Sequence, residues 1–179
     1  MGQVLNPWAL EGAIIQMISH GFISAAMFMC IGVMYDRVHS RNIADYGGVA
    51  TKMPIFAAFF MLFAMANSGL PGTSGFVGEF MVIMGAVQTK FIYAVFAGLT
   101  LILGTAYTLW MYKRVVFGEV TNKHVDSMTD VNILEFTVLA ILAIAVIATG
   151  VYPEIFMSKM QVGVRELIMH TASTKLSMN

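Results

Sequence analysis

Asn67-Ser68-Gly69-Leu70-Pro71-Gly72-Thr73-Ser74-Gly75-Phe76-Val77-Gly78-Glu79-Phe80 lies between two strongly apolar segments and decides how the chain is read. Glycine admits backbone angles closed to other residues, and proline has no N–H to give to a helix, so the cluster interrupts any helix that enters it. Non-helical backbone is tolerated at membrane depth only where protein or a water-filled cavity satisfies its polar groups. A carboxylate at the same depth is a functional-site hypothesis by default. Ion or proton movement is therefore the first function to consider.

The flanks of the breaker, Pro54 to Ala66 and Phe76 to Val87, are each about a dozen residues, roughly 20 Å of helix against a ~30 Å hydrocarbon core. Neither crosses alone. Joined through an unwound middle, they make one span over 54–87, broken near 67–75, as in many transporters. Further apolar stretches over about 9–35, 91–117 and 133–152 are each long enough to cross, and a more polar tail occupies 153–179. In the tail, Phe156, Met160, Val164, Leu167 and Ile168 recur at helical spacing and predict a short amphipathic helix on the surface. The fold class is thus all-α integral membrane, a single domain over 1–179 with about four transmembrane helices, one of them discontinuous. With 58% hydrophobic and 11% charged residues, the composition excludes an ordinary soluble domain.

Four crossings place Arg37, Arg41, Lys52, Lys113, Arg114 and Lys123 on one side and Lys90, Lys159, Arg165 and Lys175 on the other. The positive-inside bias assigns the richer side to the cytoplasm or its organellar equivalent. Met1 to Pro7 shows neither a basic n-region nor a myristoylation motif, so insertion is expected to rest on the spans. Ten basic and ten acidic residues balance, and no basic cluster marks a nucleic-acid partner. Cys30 lies in an apolar run and reads as a small buried hydrophobe. Gly69, Gly72, Gly75 and Gly78 lack the Lys-Ser/Thr and the preceding strand of a phosphate loop. The scattered histidines and single cysteine offer no metal-ligand cluster.

Glu79 falls about one turn into the second half-helix. Ionised near the membrane centre it costs ~2.5 to 3.5 kcal/mol or more unless paired or hydrated, so it must face protein or water. Burial and neighbouring charge can tune such a group to exchange a proton near neutral pH. The plainer alternative is an acid that complements the positive end of the half-helix or forms a fixed ion pair. On the first span Gln16, His20 and Ser24 recur every four residues and form a polar stripe, able either to pass protons or to hydrogen-bond neighbouring helices. His39 lies at the cytoplasmic mouth, where it reads either as a solvated loop histidine or as an entry-point group. Pro71 with its glycines holds the helix break. Thr100, Gly104 and Thr108 form a small-residue stripe expected to serve helix packing.

The stretches Met17 to Gly21, Tyr35 to Arg41, Met53-Pro54 and above all Gly69 to Phe80 resemble the proton-translocating, antiporter-like subunits of respiratory complex I. The likeness is nearest to the type called chain M in bacteria and subunit 4 in mitochondria, because the related chain L type typically has lysine where Glu79 stands. The resemblance implies the last four helices of a fourteen-helix subunit, the broken one being the twelfth. It further implies that Glu79 is the terminal proton-carrying residue, that His20 belongs to the polar axis leading to it, and that His39 matches the family's second histidine. The glutamate and lysines of the earlier helices lie outside this chain, so the isolated chain is not expected to pump.

The implied function is that of a non-redox membrane-arm subunit of a proton-pumping NADH:quinone oxidoreductase. Its expected partners are the lipid bilayer and the other membrane-arm subunits, in a hetero-oligomer. No cofactor is expected in this chain; NADH, flavin, iron-sulfur clusters and quinone belong to partner subunits. The expected location is a bacterial inner membrane rather than a mitochondrial one. Two alternatives remain: a subunit of a multi-component monovalent cation/proton antiporter, and a truncated product with an assembly role.

Overall fold

The computed structural model describes residues 6–177, with side chains described except at 172 and 174–177. The expectations for Met1 to Leu5 and for the side chain of Lys175 fall outside that range. The fold is all-α, with no strand among the described residues. Helices α1 (Pro7–Val38), α5 (Phe91–Val116) and α7 (Ile133–Val151) are each long and apolar enough to cross a membrane. Between them lie α3 (Pro54–Asn67) and α4 (Ser74–Thr89), with the short α2 (Val49–Lys52) and α6 (Lys123–Asp126) in the loops.

Local chemistry sets the helix ends. Asn6 caps α1 by accepting from the N–H groups of Trp8 and Ala9, with Pro7 at the first helical position. Asn132 and Glu135 form a reciprocal capping box at the start of α7. His39 ends α1 in the left-handed conformation, φ 56°.

The 32 residues of α1 extend ~48 Å and form the spine. Along it α4 runs antiparallel: Ala9 meets Gly85, Gly12 meets Met81, Gln16 meets Gly78, and Ile23 approaches Gly75. At the far end of α1, Arg37 bonds the Asp130 carbonyl while the Asp130 carboxylate caps Ile55 N and Phe56 N at the start of α3. Helices α3 and α4 therefore lie end to end beside α1. Their lengths of about 21 Å and 24 Å together come close to that of the spine.

Side chains without bulk let α1 and α4 approach. A Cβ added to Gly78 would lie 2.8 Å from the Gln16 α-carbon, and one on Gly85 would lie 2.9 Å from that of Ala9. Small residues draw helices together in this way where lipid supplies no hydrophobic drive between them. The stripe expected on α5 meets neighbouring helices of this chain only in part. Thr108 is buried, but Thr100 is exposed and returns its hydroxyl to the Ala97 carbonyl, and a Cβ on Gly104 would reach only Tyr107 of its own helix. A four-residue spacing drifts ~40° per step around a helix of 3.6 residues per turn, which turns the stripe away from its neighbours.

The apolar core, including Phe56, Phe60, Phe63, Val116, Leu139 and Val146, lies where α3 meets α1, α5 and α7. The loops of that end are tied together by bonds from Gly48 N to the Phe117 carbonyl and from Asn122 Nδ2 to the Asp45 carbonyl, and by a Lys52–Asp126 ion pair. The tail forms α8 (Glu154–Ser177), 24 residues and so longer than the short helix expected. It packs against α1, with Phe156, Met160, Val164 and Ile168 turned inward and Leu167 exposed.

Candidate functional site

The break between α3 and α4 is two standard turns in series. Leu70 N donates to the Met65 carbonyl and Gly69 N to the Ala66 carbonyl, with Gly69 at φ 74°, which is a Schellman ending. Thr73 N then donates to the Leu70 carbonyl, with Pro71 in the second position and Gly72 in the third at φ 89°, a type II turn. Pro71 is exposed and lies outside the Schellman bonds. Two other helices close on the break. Thr105 Oγ1 of α5 donates to the Ser68 carbonyl at 3.4 Å, and a Cβ on Gly150 of α7 would run into the Thr73 backbone.

Glu79, six residues into α4, is half-buried. Helical side chains lean toward the N-terminus of their own helix, which returns its carboxyl to the break. Gln16 Nε2 donates to Glu79 Oε1 at 3.3 Å. Glu79 Oε2 and Gln16 Oε1 are both buried and have no hydrogen-bond partner among the described residues. Oε2 rests against Gly69, where an added Cβ would collide with it. No basic side chain forms an ion pair with Glu79 among the described residues.

The stripe on α1 is only partly brought to this site. Gln16 faces Glu79, but His20 is exposed, and Ser24 Oγ lies 3.0 Å from its Nε2. The 40° drift per step again separates residues that share a spacing of four. His39 is exposed at the opposite end of α1, edge-on to Tyr35.

Sequence reasoning did not single out Ser19 and Ser74, whose hydroxyls bond at 2.8 Å in the buried α1–α4 seam. A signal existed: Ser19 shares a face with Gly12, Ile15, Ile23 and Ala26 at spacings of three and four. Nor did it find the clamp made by Arg37. That guanidinium donates to both carboxylate oxygens of Glu135 and to the carbonyls of Val33, Thr129 and Asp130. All five of its N–H groups are used.

An acid beside a broken helix, in a bundle of apolar helices, lies within the stretch that a known family matches. A family model described as NADH:quinone oxidoreductase/Mrp antiporter, TM matches residues 1–105, a stretch containing the whole break, Gln16 and Glu79. NADH-quinone oxidoreductase subunit M of Rhodobacter capsulatus is 49% identical over 150 residues, covering 84% of this chain and 29% of that protein. NADH-ubiquinone oxidoreductase chain 4 of Marchantia polymorpha is 43% identical over 166 residues, covering 93% of this chain and 34% of that one. Among solved structures, a chain of respiratory complex I from Thermus thermophilus with bound NADH superposes with a TM-score of 0.81 at 26% identity, over 91% of this chain and 35% of that one. The chain thus spans about a third of the length of the curated relatives it matches. With these helices, this break and this likeness, the chain belongs to the NADH:quinone oxidoreductase/Mrp antiporter transmembrane family.

Proposed function

We propose that the chain is part of a membrane-arm subunit of a proton-pumping NADH:quinone oxidoreductase, and that Glu79 is the group that takes up and gives up the proton. The observation that carries this reading is the Glu79 carboxyl at the helix break, held by Gln16 and paired with no cation among the described residues. A carboxyl locked in an ion pair would stay ionised, whereas one bonded only to a neutral amide can exist in both protonation states. Gln16 orients the carboxyl. His20, one turn farther along α1 and exposed, and the half-buried Ser24 a further turn on form the relay that would bring protons toward it. His39 is the proposed entry group at the loop end. The Schellman ending and the Pro71-Gly72 turn keep unwound backbone beside the carboxyl.

Pumping would need the remainder of a subunit about three times this length, and the electron carriers, NADH, flavin, iron-sulfur clusters and quinone, would reside in partner subunits. The names of the relatives support this assignment, and the higher identity to the Rhodobacter capsulatus protein supports a bacterial inner membrane. The description of the family also covers Mrp antiporters, which supports a second reading as a subunit of a monovalent cation/proton antiporter.

The test is NADH-driven proton uptake by inverted vesicles carrying Glu79→Gln in the assembled complex. Collapse of uptake with assembly intact is expected. Unchanged uptake and oxidation would falsify the carrier role, and cation-dependent proton exchange without NADH would favour the antiporter.

A further inference from the structure

Two glycines of the break have positive φ, Gly69 at 74° and Gly72 at 89°, and both are strained for any residue with a Cβ. Their surroundings differ. Nothing lies within 4 Å of a Cβ built on Gly72, whereas one on Gly69 would collide with Glu79 Oε2 and approach Leu101 at 4.0 Å. That same oxygen is buried and makes no hydrogen bond among the described residues.

We propose that Gly69 is the seat of the Glu79 carboxyl: it is glycine not only to turn the chain but to leave room for Oε2, so the helix break and the acid form one mechanical unit. From α4 the side chain leans back toward the end of α3, and its two oxygens divide the work. Oε1 accepts from Gln16, and Oε2 occupies the volume a Cβ would fill at Gly69. An ionised Oε2 has no donor in this seat, and a buried carboxylate oxygen without one is unfavourable in a membrane interior. Charging the group therefore moves the oxygen out of the seat, and unwinding the Schellman turn at Gly69 releases it. Gly69 is a positioning residue acting through Glu79. Its functional consequence rests on the reading of Glu79 as a proton carrier; the seat itself does not.

The experiment compares Gly69→Ala with Gly72→Ala in the assembled complex in native membranes. Labelling of Glu79 by a hydrophobic carbodiimide is followed by mass spectrometry, with proton uptake measured in parallel. Both variants carry the left-handed strain, but only the first fills the seat. Gly69→Ala should raise the labelling rate about fivefold, equivalent to ~1 kcal/mol at 1.36 kcal/mol per decade, while Gly72→Ala stays within about twofold of the parent. Equal rates in the two variants, or no change at Gly69→Ala, overturn the proposal. If Gly69→Ala does not assemble while the equally strained Gly72→Ala does, Gly69→Ala/Glu79→Asp decides, because aspartate withdraws the carboxyl by one methylene. Recovered assembly supports the seat, and failure to recover overturns it. Faster labelling with undiminished uptake would leave the seat standing and remove the carrier role.

Discussion

Replacing Arg37 by glutamine should loosen the loop between α5 and α7 far more than removing a charge outside the Arg37–Glu135 pair, such as Arg41 or Lys52. Arg37 and Glu135 are bonded at 2.8 Å with side chains only 15% and 18% exposed, so the pair is largely desolvated. Removing one partner of a fully buried pair costs 3–5 kcal/mol. Discounted for the remaining exposure, the loss here is about 2 kcal/mol. Glutamine has two N–H donors against the five that Arg37 uses, so it cannot replace the bonds to Val33, Thr129, Asp130 and Glu135 that fasten the loop to α1. A second ion pair in this region, Lys52–Asp126, has side chains 33% and 67% exposed and contributes little.

The assay is tryptic cleavage after the exposed Lys123, which reports local opening when cleavage is slow relative to reclosing. A loss of 2 kcal/mol raises that rate roughly 30-fold. Arg41→Gln is the control, since Arg41 stacks on Tyr35 and makes no ion pair among the described residues. It should change the rate by less than about threefold. The double variant Arg37→Gln/Glu135→Gln should recover at least ~1 kcal/mol relative to the sum of the single losses, because no buried charge is then left alone. A change below about threefold in Arg37→Gln, or one matched by Arg41→Gln, would refute the reasoning.

Three further outcomes are expected. Gly78→Ala puts a Cβ within 2.8 Å of the Gln16 α-carbon and should cost about 1–3 kcal/mol by overpacking, read as a lower temperature for loss of the assembled complex. Gly98→Ala, with nothing within 4 Å of its added Cβ, should leave that temperature almost unchanged. Pro71→Ala should leave the break in place, since the bonds from Leu70 and Gly69 and the positive φ of Gly69 and Gly72 do not involve the proline ring. Hydrogen exchange at the Leu70 and Thr73 amides should then stay within about tenfold of the parent; faster loss of both would show that proline, rather than the glycines, maintains the break.

By itself the sequence determined what depends on runs and on neighbours in the chain. Apolar length marked the long helices, and the glycines and proline of Gly69-Leu70-Pro71-Gly72 marked the interruption between two of the shorter ones, while the caps at Asn6 and Asn132 emerged only with the structure. These signals are local because backbone angles and capping bonds are satisfied within a few residues. Glu79 stood out for the same reason, as an acid just past a breaker in an apolar field. Only the tertiary structure decided which faces meet. The apolar helices offer lipid and one another nearly equal surfaces, so small residues choose the contacts, and a spacing of four does not reveal where the drift of the helix carries each side chain. For that reason Gln16 reaches Glu79 while His20 does not, and Thr100 looks outward while Ser19 is sealed against Ser74. The Arg37 clamp joins residues nearly a hundred positions apart, and the contact of Glu79 with Gly69 exists only because the side chain leans from α4 back toward the end of α3.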